Sequence, residues 1–440
     1  MHPGRHPRAG MTRSSLQTQR NLQECRRKHQ EILLLGAQPT PLKVTEFLIL
    51  WEVTAVCLSL MQRVSQLRST ATIAGMKKLK LMLLICATLL VESSYADLQL
   101  NLIELPPGFS IEVYAEGVEN ARQMVRGDNG TIFAGSRRAG KLWAITDVDG
   151  DQYAEKVRLI DEDLKMPSGV EFLDGALYVG AVDRILRYDN IEFLLDQPPD
   201  PVVVTDVLPG KEHHGWKYLR FGPDDKLYIP VGVPCNICDE DGFGEIRRMN
   251  PDGSGMDTFA KGVRNSVGLA FHPENGQLWF TENGKDMMGD DIPADELNHA
   301  PRAGMHFGIP YCHQGDLLDE EFGKGKSCED YTPPVAKLDP HGAALGLAFY
   351  TGEMFPSEYT NRLFITQHGS WNRTEKSGYQ VLVLDVQPDG TVLNKQVFAS
   401  GWLQNEKSWG RPNDVLVMPD GALLVSDDQA NVIYRISYTK

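Results

Sequence analysis

Three short segments place a histidine or an arginine at nearly the same distance before a proline-containing turn. His214 lies nine residues before Pro223, and Arg264 lies nine residues before Pro273. Arg411 stands one residue after the equivalent position of a third segment. An imidazole can accept a proton near neutral pH, and a guanidinium binds carboxylates and stabilises negative charge. If the three segments converge, this spacing predicts general base chemistry beside an anionic ligand.

An internal repeat supplies the elements that would bring these segments together. Each copy has a short alternating strand, a turn rich in Gly, Asp, Asn or Pro, and a second strand with bulky apolar residues. The six copies read "MVRGDNGTIFAGS", "GVEFLDGALYVGAV", "YLRFGPDDKLYIPVG", "GLAFHPENGQLWFTEN", "GLAFYTGEMFPSEYTNRLFITQH" and "DVLVMPDGALLVSDD". Without a periodic helix between them, they predict an all-β, six-bladed β-propeller with four-stranded antiparallel blades. A β-sandwich is the alternative, but it has no reason to repeat one hairpin six times.

Propeller geometry predicts which side chains meet. The first strand of each blade lines the central channel, so the segment before strand one and the loop after strand two open on the same face. His214, Arg264 with Asn265, and Arg411 should therefore surround one funnel, with His341 at the equivalent place in blade five. The loops "ENGKD", "QHGSWNR" and "SDD" follow second strands on this face. The arginines of this set suit an anionic cofactor, because guanidinium groups bind carboxylates. The flexible oxygen donors of the loops suit a metal ion such as Ca²⁺.

Charge divides the chain into two parts. Residues 1–96 carry 13 Lys/Arg and 5 Asp/Glu, whereas the remaining residues carry 31 and 54. The acidic body argues against nucleic acid as a partner. The stretch "MKKLKLMLLICATLLVESSYA" has a basic start, an apolar centre and a small-residue exit. It predicts a signal peptide over 76–96 and a periplasmic or secreted mature protein that does not span the membrane.

The segment 1–75 does not resemble a domain. We interpret it as an unstructured extension upstream of a true translation start at Met76, which leaves 97–440 for the propeller. The alternative is a membrane anchor through Phe47 to Met61, but this apolar run is short and is interrupted by Glu52.

Four cysteines fall within 97–440. Cys235 and Cys238 form "CNIC", while Cys312 and Cys328 stand in one loop-like stretch. In an oxidising compartment two local disulfides are the simplest pairing. A four-thiolate zinc site and a redox-active dithiol at "CNIC" are the alternatives.

The longer motifs resemble the glucose/sorbosone dehydrogenase family, most closely its L-sorbosone dehydrogenase-like branch. They include "HHGWKYLRFGPDDKLYIPVGVPCNIC", "GVRNSVGLAFHPENGQLWFTENGKD", "HFGIPYCH", "QHGSWNR" and "WGRPNDVLVMPDGALLVSDD", and the likeness extends from about Leu105 to Tyr438. The resemblance implies a soluble quinoprotein that binds pyrroloquinoline quinone and Ca²⁺ and oxidises an aldose or a sugar-derived aldehyde. No haem motif follows the propeller, so electrons would pass to a separate acceptor, either a cytochrome or a quinone.

The resemblance also implies a role for each site residue. His214 matches the general base, and Arg264 with Asn265 matches the pair that contacts the quinone and steadies negative charge. The remaining contacts to the cofactor and its metal are expected from Arg411, Arg373, His368, Gly284 and Lys285, the last two through backbone carbonyls. Lys285 stands where the better-known soluble glucose dehydrogenases have proline, and His213 where they have Asp. These departures leave the identity of the sugar substrate and the exact cofactor contacts undetermined.

Two other function classes remain. A six-bladed metal-dependent lactonase-like hydrolase would hold one axial ion with Glu, Asn and Asp side chains, whereas the expected axial positions here are cationic or imidazole-bearing. A non-catalytic sugar-binding propeller would keep the fold without turnover.

Overall fold

The structure, a computed structural model, describes residues 98–439. They form six sheets, five of which contain four antiparallel strands while the sixth adds a short parallel strand to its four, together with two small hairpins. This confirms the predicted six-bladed propeller with four-stranded antiparallel blades. The extension over 1–75 and the signal peptide over 76–96 lie outside the described residues, so both remain expectations.

The first half of the propeller contains three blades. Strand β1 (Phe109–Glu116) precedes them and belongs to the last blade. Blade I contains β2 (Ala121–Arg126), β3 (Ile132–Ser136), β4 (Leu142–Thr146) and β5 (Lys156–Asp161). Blade II contains β6 (Gly169–Leu173), β7 (Ala176–Gly180), β8 (Ile185–Tyr188) and β9 (Val202–Thr205). Blade III contains β10 (Arg220–Phe221), β11 (Leu227–Val231), β12 (Glu245–Met249) and β13 (Asp257–Lys261).

The second half carries the longest insertion. Blade IV begins with β14 (Gly268–Phe271), β15 (Leu278–Glu282) and β16 (Glu296–Ala300). An excursion then carries β17 (Met305–His306), β18 (Cys312–His313) and β19 (Leu317–Leu318), before β20 (Ala336–Lys337) completes the blade. Blade V contains β21 (Ala344–Phe349), β22 (Leu363–Gln367), β23 (Gln380–Val386) and β24 (Val392–Ala399). The hairpin of β25 (Leu403–Gln404) and β26 (Lys407–Ser408) precedes blade VI, which contains β27 (Pro412–Val417), β28 (Leu423–Asp427) and β29 (Val432–Tyr438).

Helical structure in the described region consists of single 3-10 turns. They cover Leu100–Leu102, Ile191–Phe193, Cys328–Asp330 and Ser357–Tyr359. None of the helices within residues 98–439 has the length and hydropathy needed to cross a membrane.

The burial of the strands explains the repeat. Second strands such as β7 ("ALYVG") and β15 ("LWFTE") are buried along their whole length. A strand covered on both faces by neighbouring blades favours such continuous apolar runs. The first strands of adjacent blades can approach each other even more closely. A Cβ at Gly268 on β14 would collide with the carbonyl of Leu345 on β21. Glycine at this position therefore lets blades IV and V approach each other near the channel.

The two ends of the propeller close the ring in one sheet. Strand β1 pairs antiparallel with β29, and Phe109 lies opposite Tyr438. The Phe109 ring packs edge-on against Phe355 and Phe398, with ring centres 4.7 and 5.0 Å away. This apolar contact stabilises the closure of blade VI, and with it the channel that all six blades surround.

The cysteines of the described region form two local disulfides, as expected. Cys235 pairs with Cys238, and Cys312 pairs with Cys328. The first bond closes the loop after β11, which opens on the channel face. The second ties together the excursion between β17 and β20. Because all four sulfurs within residues 98–439 are used, this region leaves no thiolate for a zinc site.

Candidate active site

A cavity of about 720 Å³ is lined mainly by the segments that lead into first strands and by the loops that follow second strands. All six blades contribute to its wall. The residues on the wall that the sequence singled out are His214, Arg264, Asn265, Gly284, His341, His368 and Arg411. The structure therefore brings these segments together, as the repeat geometry required, while the chemical role of each residue remains a prediction.

His214 has the form of a proton acceptor. The side chain is 6% exposed, and its Nδ1 donates to the Val233 carbonyl at 2.9 Å. Because a carbonyl can only accept, the proton lies on Nδ1, and no described residue bonds to Nε2. Burial holds the pKa of His214 well below its ordinary value, and the nearby positive charge of Arg264 lowers it further. The imidazole is therefore neutral at pH 7 and offers a free lone pair on Nε2.

The backbone of His214 is strained. Its φ is 49°, in the left-handed region that non-glycine residues rarely adopt. Such strain persists only where the surroundings enforce it, and it is common at functional sites. The neighbouring His213 ring lies 4.1 Å from the His214 ring between centres, and it is tilted by 57°. The strained turn thus presents two imidazoles side by side, of which only His214 is buried.

Gly232 supports both His214 and Arg264. A Cβ at this position would lie 2.7 Å from His214 Cβ and 2.9 Å from the Arg264 carbonyl. We expect Gly232→Ala to displace both residues, to lower the free energy of unfolding by about 1–3 kcal/mol, and to reduce kcat. Thermal denaturation and steady-state rates measure these effects. Gly210→Ala is the matched control, because its Cβ would meet only Asp183 at 3.7 Å, and equal behaviour of the two variants would contradict the expectation.

Arg264 is held rigidly by two loops. Its Nε donates to the Asn236 carbonyl at 2.6 Å, and one terminal nitrogen donates to Asn236 Oδ1 at 2.8 Å and to Asp286 Oδ2 at 2.7 Å. The other terminal nitrogen donates to the Asn283 carbonyl at 3.1 Å. The side chain is almost fully buried. A guanidinium fixed in this way presents positive charge to the cavity without reorganisation.

Asn265 is positioned by a buried carboxylate below the cavity. Glu282 Oε1 accepts from the Asn265 backbone N–H at 2.5 Å, and Oε2 accepts from the Ser266 hydroxyl at 2.7 Å. Burial raises the pKa of Glu282 to about 8, although these two hydrogen bonds and Arg264 oppose the shift. The Glu282 carboxyl therefore fixes the turn that carries Arg264 and Asn265.

The opposite wall carries a second group of charges. Arg411 donates to the carbonyls of His368 and Gly369. His368 Nε2 lies 2.7 Å from Asp428 Oδ1, and Arg122 lies 2.6 Å from Asp428 Oδ2. Burial lowers the pKa of His368 to about 4, so the ring is a neutral donor to Asp428. Asp428 thus neutralises Arg122, whereas Arg411 has only carbonyl partners among residues 98–439.

The buried Asp295 fixes the loop that is expected to hold the metal. Asp295 Oδ1 accepts from the Gly284 N–H at 2.9 Å, and Oδ2 accepts from the Ala344 N–H at 3.1 Å. Burial raises the pKa of Asp295 to about 6. The Lys285 side chain turns away from the cavity to Asp319, at 2.7 Å. Gly284 lies on the cavity wall, and Lys285 can contribute there only through its backbone.

Arg373 lies away from the position that the resemblance implied. Its guanidinium donates to the Asp290 and Glu375 carbonyls and lies near the exposed Asp291. It does not belong to the cavity wall. The loop after β22 places Asn372 on the wall instead, and Asn372 Oδ1 is buried without a hydrogen-bond partner among the described residues. Sequence order alone could not show which side chain of "HGSWNR" turns inward.

Several cavity residues were missed by sequence reasoning. They are Arg122, Arg137, Arg138, Lys165 and Trp216 on the wall, and Asn236 behind it. Arg137 and Arg138 belong to "SRRAG", the loop that follows the second strand of blade I. The expectation that loops after second strands open on the channel face would have identified both arginines if it had been applied to blade I. Asn236 carried no signal, because its role depends on the conformation of the disulfide loop.

Comparisons with known proteins agree with this architecture. The family described as Glucose / Sorbosone dehydrogenase matches residues 201–435. An uncharacterized protein of Borreliella burgdorferi is 32% identical over 353 residues, which are 77% of this chain and 91% of that protein. The aldose sugar dehydrogenase YliI of Escherichia coli is 28% identical over 197 residues, 43% of this chain and 46% of that protein. The holo form of the pyranose dehydrogenase PQQ domain from Coprinopsis cinerea has a TM-score of 0.64 at 18% identity, covering 76% of this chain and 97% of that domain.

Proposed function

The chain belongs to the glucose/sorbosone dehydrogenase family, and we propose that it oxidises an aldose or a sugar-derived aldehyde by hydride transfer to pyrroloquinoline quinone. The observation that carries this proposal is the state of His214. Its Nδ1 is committed to the Val233 carbonyl, its pKa is depressed by burial, and its Nε2 is free on the wall of a cationic cavity. A neutral imidazole beside a fixed arginine suits removal of a hydroxyl proton.

The cavity fits a flat, polycarboxylate quinone. Its wall contains the Arg411 guanidinium, which has no carboxylate partner among residues 98–439, and the buried, unpartnered Asn372 Oδ1. Arg264 and Asn265 face the same space. Arginine binds carboxylates at two points, so Arg411 would hold a carboxylate of the cofactor. Arg264, which is already paired with Asp286, would lie beside the cofactor together with Asn265 and the His368 segment.

The loop around Gly284 fits Ca²⁺. Hard oxygen ligands are required, and backbone carbonyls supply them where a loop is fixed in advance. Asp295 holds the Gly284 N–H, and Asn236 holds both the N–H and the carbonyl of Asp286. The carbonyls of Gly284 and Lys285 would therefore ligate the ion without rearrangement of the loop.

Different residues of this chain would have different roles in the oxidation. When bound, the quinone supplies a two-electron acceptor. His214 Nε2 takes the proton of the sugar hydroxyl, and its Nδ1–H bond to Val233 keeps the tautomer correct. Arg264, locked by Asn236 and Asp286, stabilises negative charge that develops next to the base.

We also propose an exported protein with a separate electron acceptor, a cytochrome or a quinone. Two disulfides within 98–439 support an oxidising compartment. The basic start and apolar centre of 76–96 support export to the periplasm or the medium.

Reconstitution tests the proposal. Purified apoprotein is mixed with pyrroloquinoline quinone and Ca²⁺, and its absorbance spectrum is recorded before and after addition of aldoses and of a dye acceptor. We expect bleaching of the oxidised quinone spectrum and dye reduction with at least one sugar. Lack of cofactor binding would remove the proposal. Metal-dependent lactone hydrolysis without quinone would favour a lactonase-like hydrolase, and sugar binding without dye reduction would favour a binding propeller.

A further inference from the structure

The charges of the cavity fall into two groups. Blades IV to VI provide Arg264, the Gly284 loop and Arg411, which the proposed cofactor and metal would use. Blades I to III provide a second cationic region next to His214. We call it the Arg137 subsite, and it consists of Arg137, Arg138 and Trp216, all on the cavity wall.

Arg137 is unsatisfied in this subsite. Its guanidinium carbon lies 3.7 Å from the centre of the Trp216 ring, so the cation stacks on the indole. Arg137 Nε and Trp216 Nε1 are both buried, and neither has a hydrogen-bond partner among the described residues. A buried donor without a partner is destabilising, because its hydrogen bond to water is lost and not replaced. Two such donors on stacked side chains of the cavity wall indicate that a ligand acceptor completes them.

Two other arginines of the cavity are already paired with carboxylates, whereas Arg411 donates only to backbone carbonyls among residues 98–439. Arg122 forms an ion pair with Asp428, and Arg264 forms one with Asp286. Within 98–439 no carboxylate forms an ion pair with Arg137. Burial lowers the pKa of Arg137 to about 9, and the neighbouring charges of Arg122 and Arg138 contribute. The region therefore has an excess of positive charge, which an anion would neutralise.

The subsite lies on the side of the base. The Trp216 ring is edge-on to the His214 ring, with centres 5.8 Å apart, and Arg137 stacks on the same indole. A sugar whose reacting hydroxyl reaches His214 Nε2 would therefore direct another part of its ring or its substituents towards Arg137. An anionic group bound at the Arg137 subsite would then be part of the same molecule that His214 deprotonates.

We propose that the Arg137 subsite binds the carboxylate of an acidic sugar, so that the preferred substrates are hexuronic acids. This rests on the proposed function and names the substrate class for it. In the reaction the C1–H bond breaks and hydride reduces the quinone, while the O1 proton passes to His214. The cyclic uronate becomes the corresponding lactone, and its carboxylate remains unchanged on Arg137.

Substrate discrimination is the first test. Reconstituted wild type, Arg137→Leu and the control Arg158→Leu are assayed with glucuronate and galacturonate against glucose and galactose. Arg158 lies on β5, outside the cavity, and pairs with the exposed Asp196. We expect wild type to prefer the uronates and Arg137→Leu to lower kcat/KM for them at least tenfold, with the neutral sugars unchanged within twofold. An unchanged ratio of uronate to neutral sugar in Arg137→Leu would overturn the proposal.

Binding to the apoprotein separates this proposal from the proposed function. Calorimetry is expected to detect glucuronate binding that Arg137→Leu removes and Arg158→Leu keeps. If uronates bind in this way but no sugar reduces the dye, the proposed dehydrogenase function fails and the subsite stands. Absence of Arg137-dependent uronate binding overturns the subsite. So does a tenfold loss of quinone affinity in Arg137→Leu, because the anion would then belong to the cofactor.

Discussion

Replacement of His214 by alanine is expected to lower kcat of the reconstituted enzyme by about 10²- to 10⁴-fold, the usual contribution of a positioned general base. The substitution removes Nε2, the only ring nitrogen of His214 that the Val233 carbonyl does not occupy. Alanine keeps a Cβ and does not relieve the left-handed φ of 49° at this position, so a thermal melt of the variant checks that the fold persists. Steady-state dye reduction with a saturating sugar measures the loss, and a quinone titration shows whether cofactor binding is retained.

His213→Ala is the matched control for His214→Ala. The two rings are 4.1 Å apart, yet His213 is exposed and no side-chain hydrogen bond positions it among residues 98–439. Its replacement is expected to change kcat much less than replacement of His214. A His214→Ala enzyme with the wild-type rate would exclude His214 as the base and would favour a binding propeller. A larger effect at His213 would assign the proton transfer to that ring.

The pH dependence follows from the direction of the His214 shift. Burial, Arg264 and His213 all lower the pKa of His214. The reactive form is neutral and is populated above the pKa of the folded protein. As the pH falls, activity should therefore persist through 6.5, where an ordinary histidine is half protonated, and decline only at lower pH. An acid limb of kcat/KM centred above 6.5 would contradict this assignment.

The repeat predicted the propeller because turn chemistry and strand alternation are local properties. Second strands such as β7 and β15 are buried throughout and mostly apolar, since adjacent blades cover both of their faces. The count back from the turn proline placed His214 and Arg264 on one cavity because both residues precede the first hairpin of adjacent blades. Position along a blade was therefore predictable from sequence.

Side-chain direction within loops was not predictable in the same way. Arg373 was expected on the cavity, but the Asp290 carbonyl holds it outside and Asn372 lies on the wall. Arg264 was predicted, whereas its partner Asn236 lies in a loop whose path is set by a disulfide. Such hydrogen bonds join segments distant in sequence, and no local pattern encodes them.

Asn236 is the residue whose loss we expect to disturb the site most among those that do not contact the substrate. Its Oδ1 accepts from Arg264 at 2.8 Å and from the Asp286 N–H at 2.9 Å, and its Nδ2 donates to the Asp286 carbonyl at 2.9 Å. One amide therefore positions both the arginine beside the base and the loop expected to hold Ca²⁺. Loss of such a supporting partner typically costs 10- to 100-fold in metal affinity or activity. We expect Asn236→Ala to lower kcat and Ca²⁺ affinity within about that range.

A merely structural role for Asn236 predicts a different result. It would lower the thermal midpoint and leave kcat and the Ca²⁺ titration of the folded enzyme unchanged. Asn250→Ala serves as the control, because Asn250 makes comparable side-chain bonds to Lys226 and Ser254 away from the cavity. The paired change Cys235→Ser with Cys238→Ser should act in the same direction as Asn236→Ala, since the disulfide restrains the loop that carries the amide. If the serine pair weakens Ca²⁺ binding and Asn236→Ala does not, the loop path rather than the amide positions the metal site.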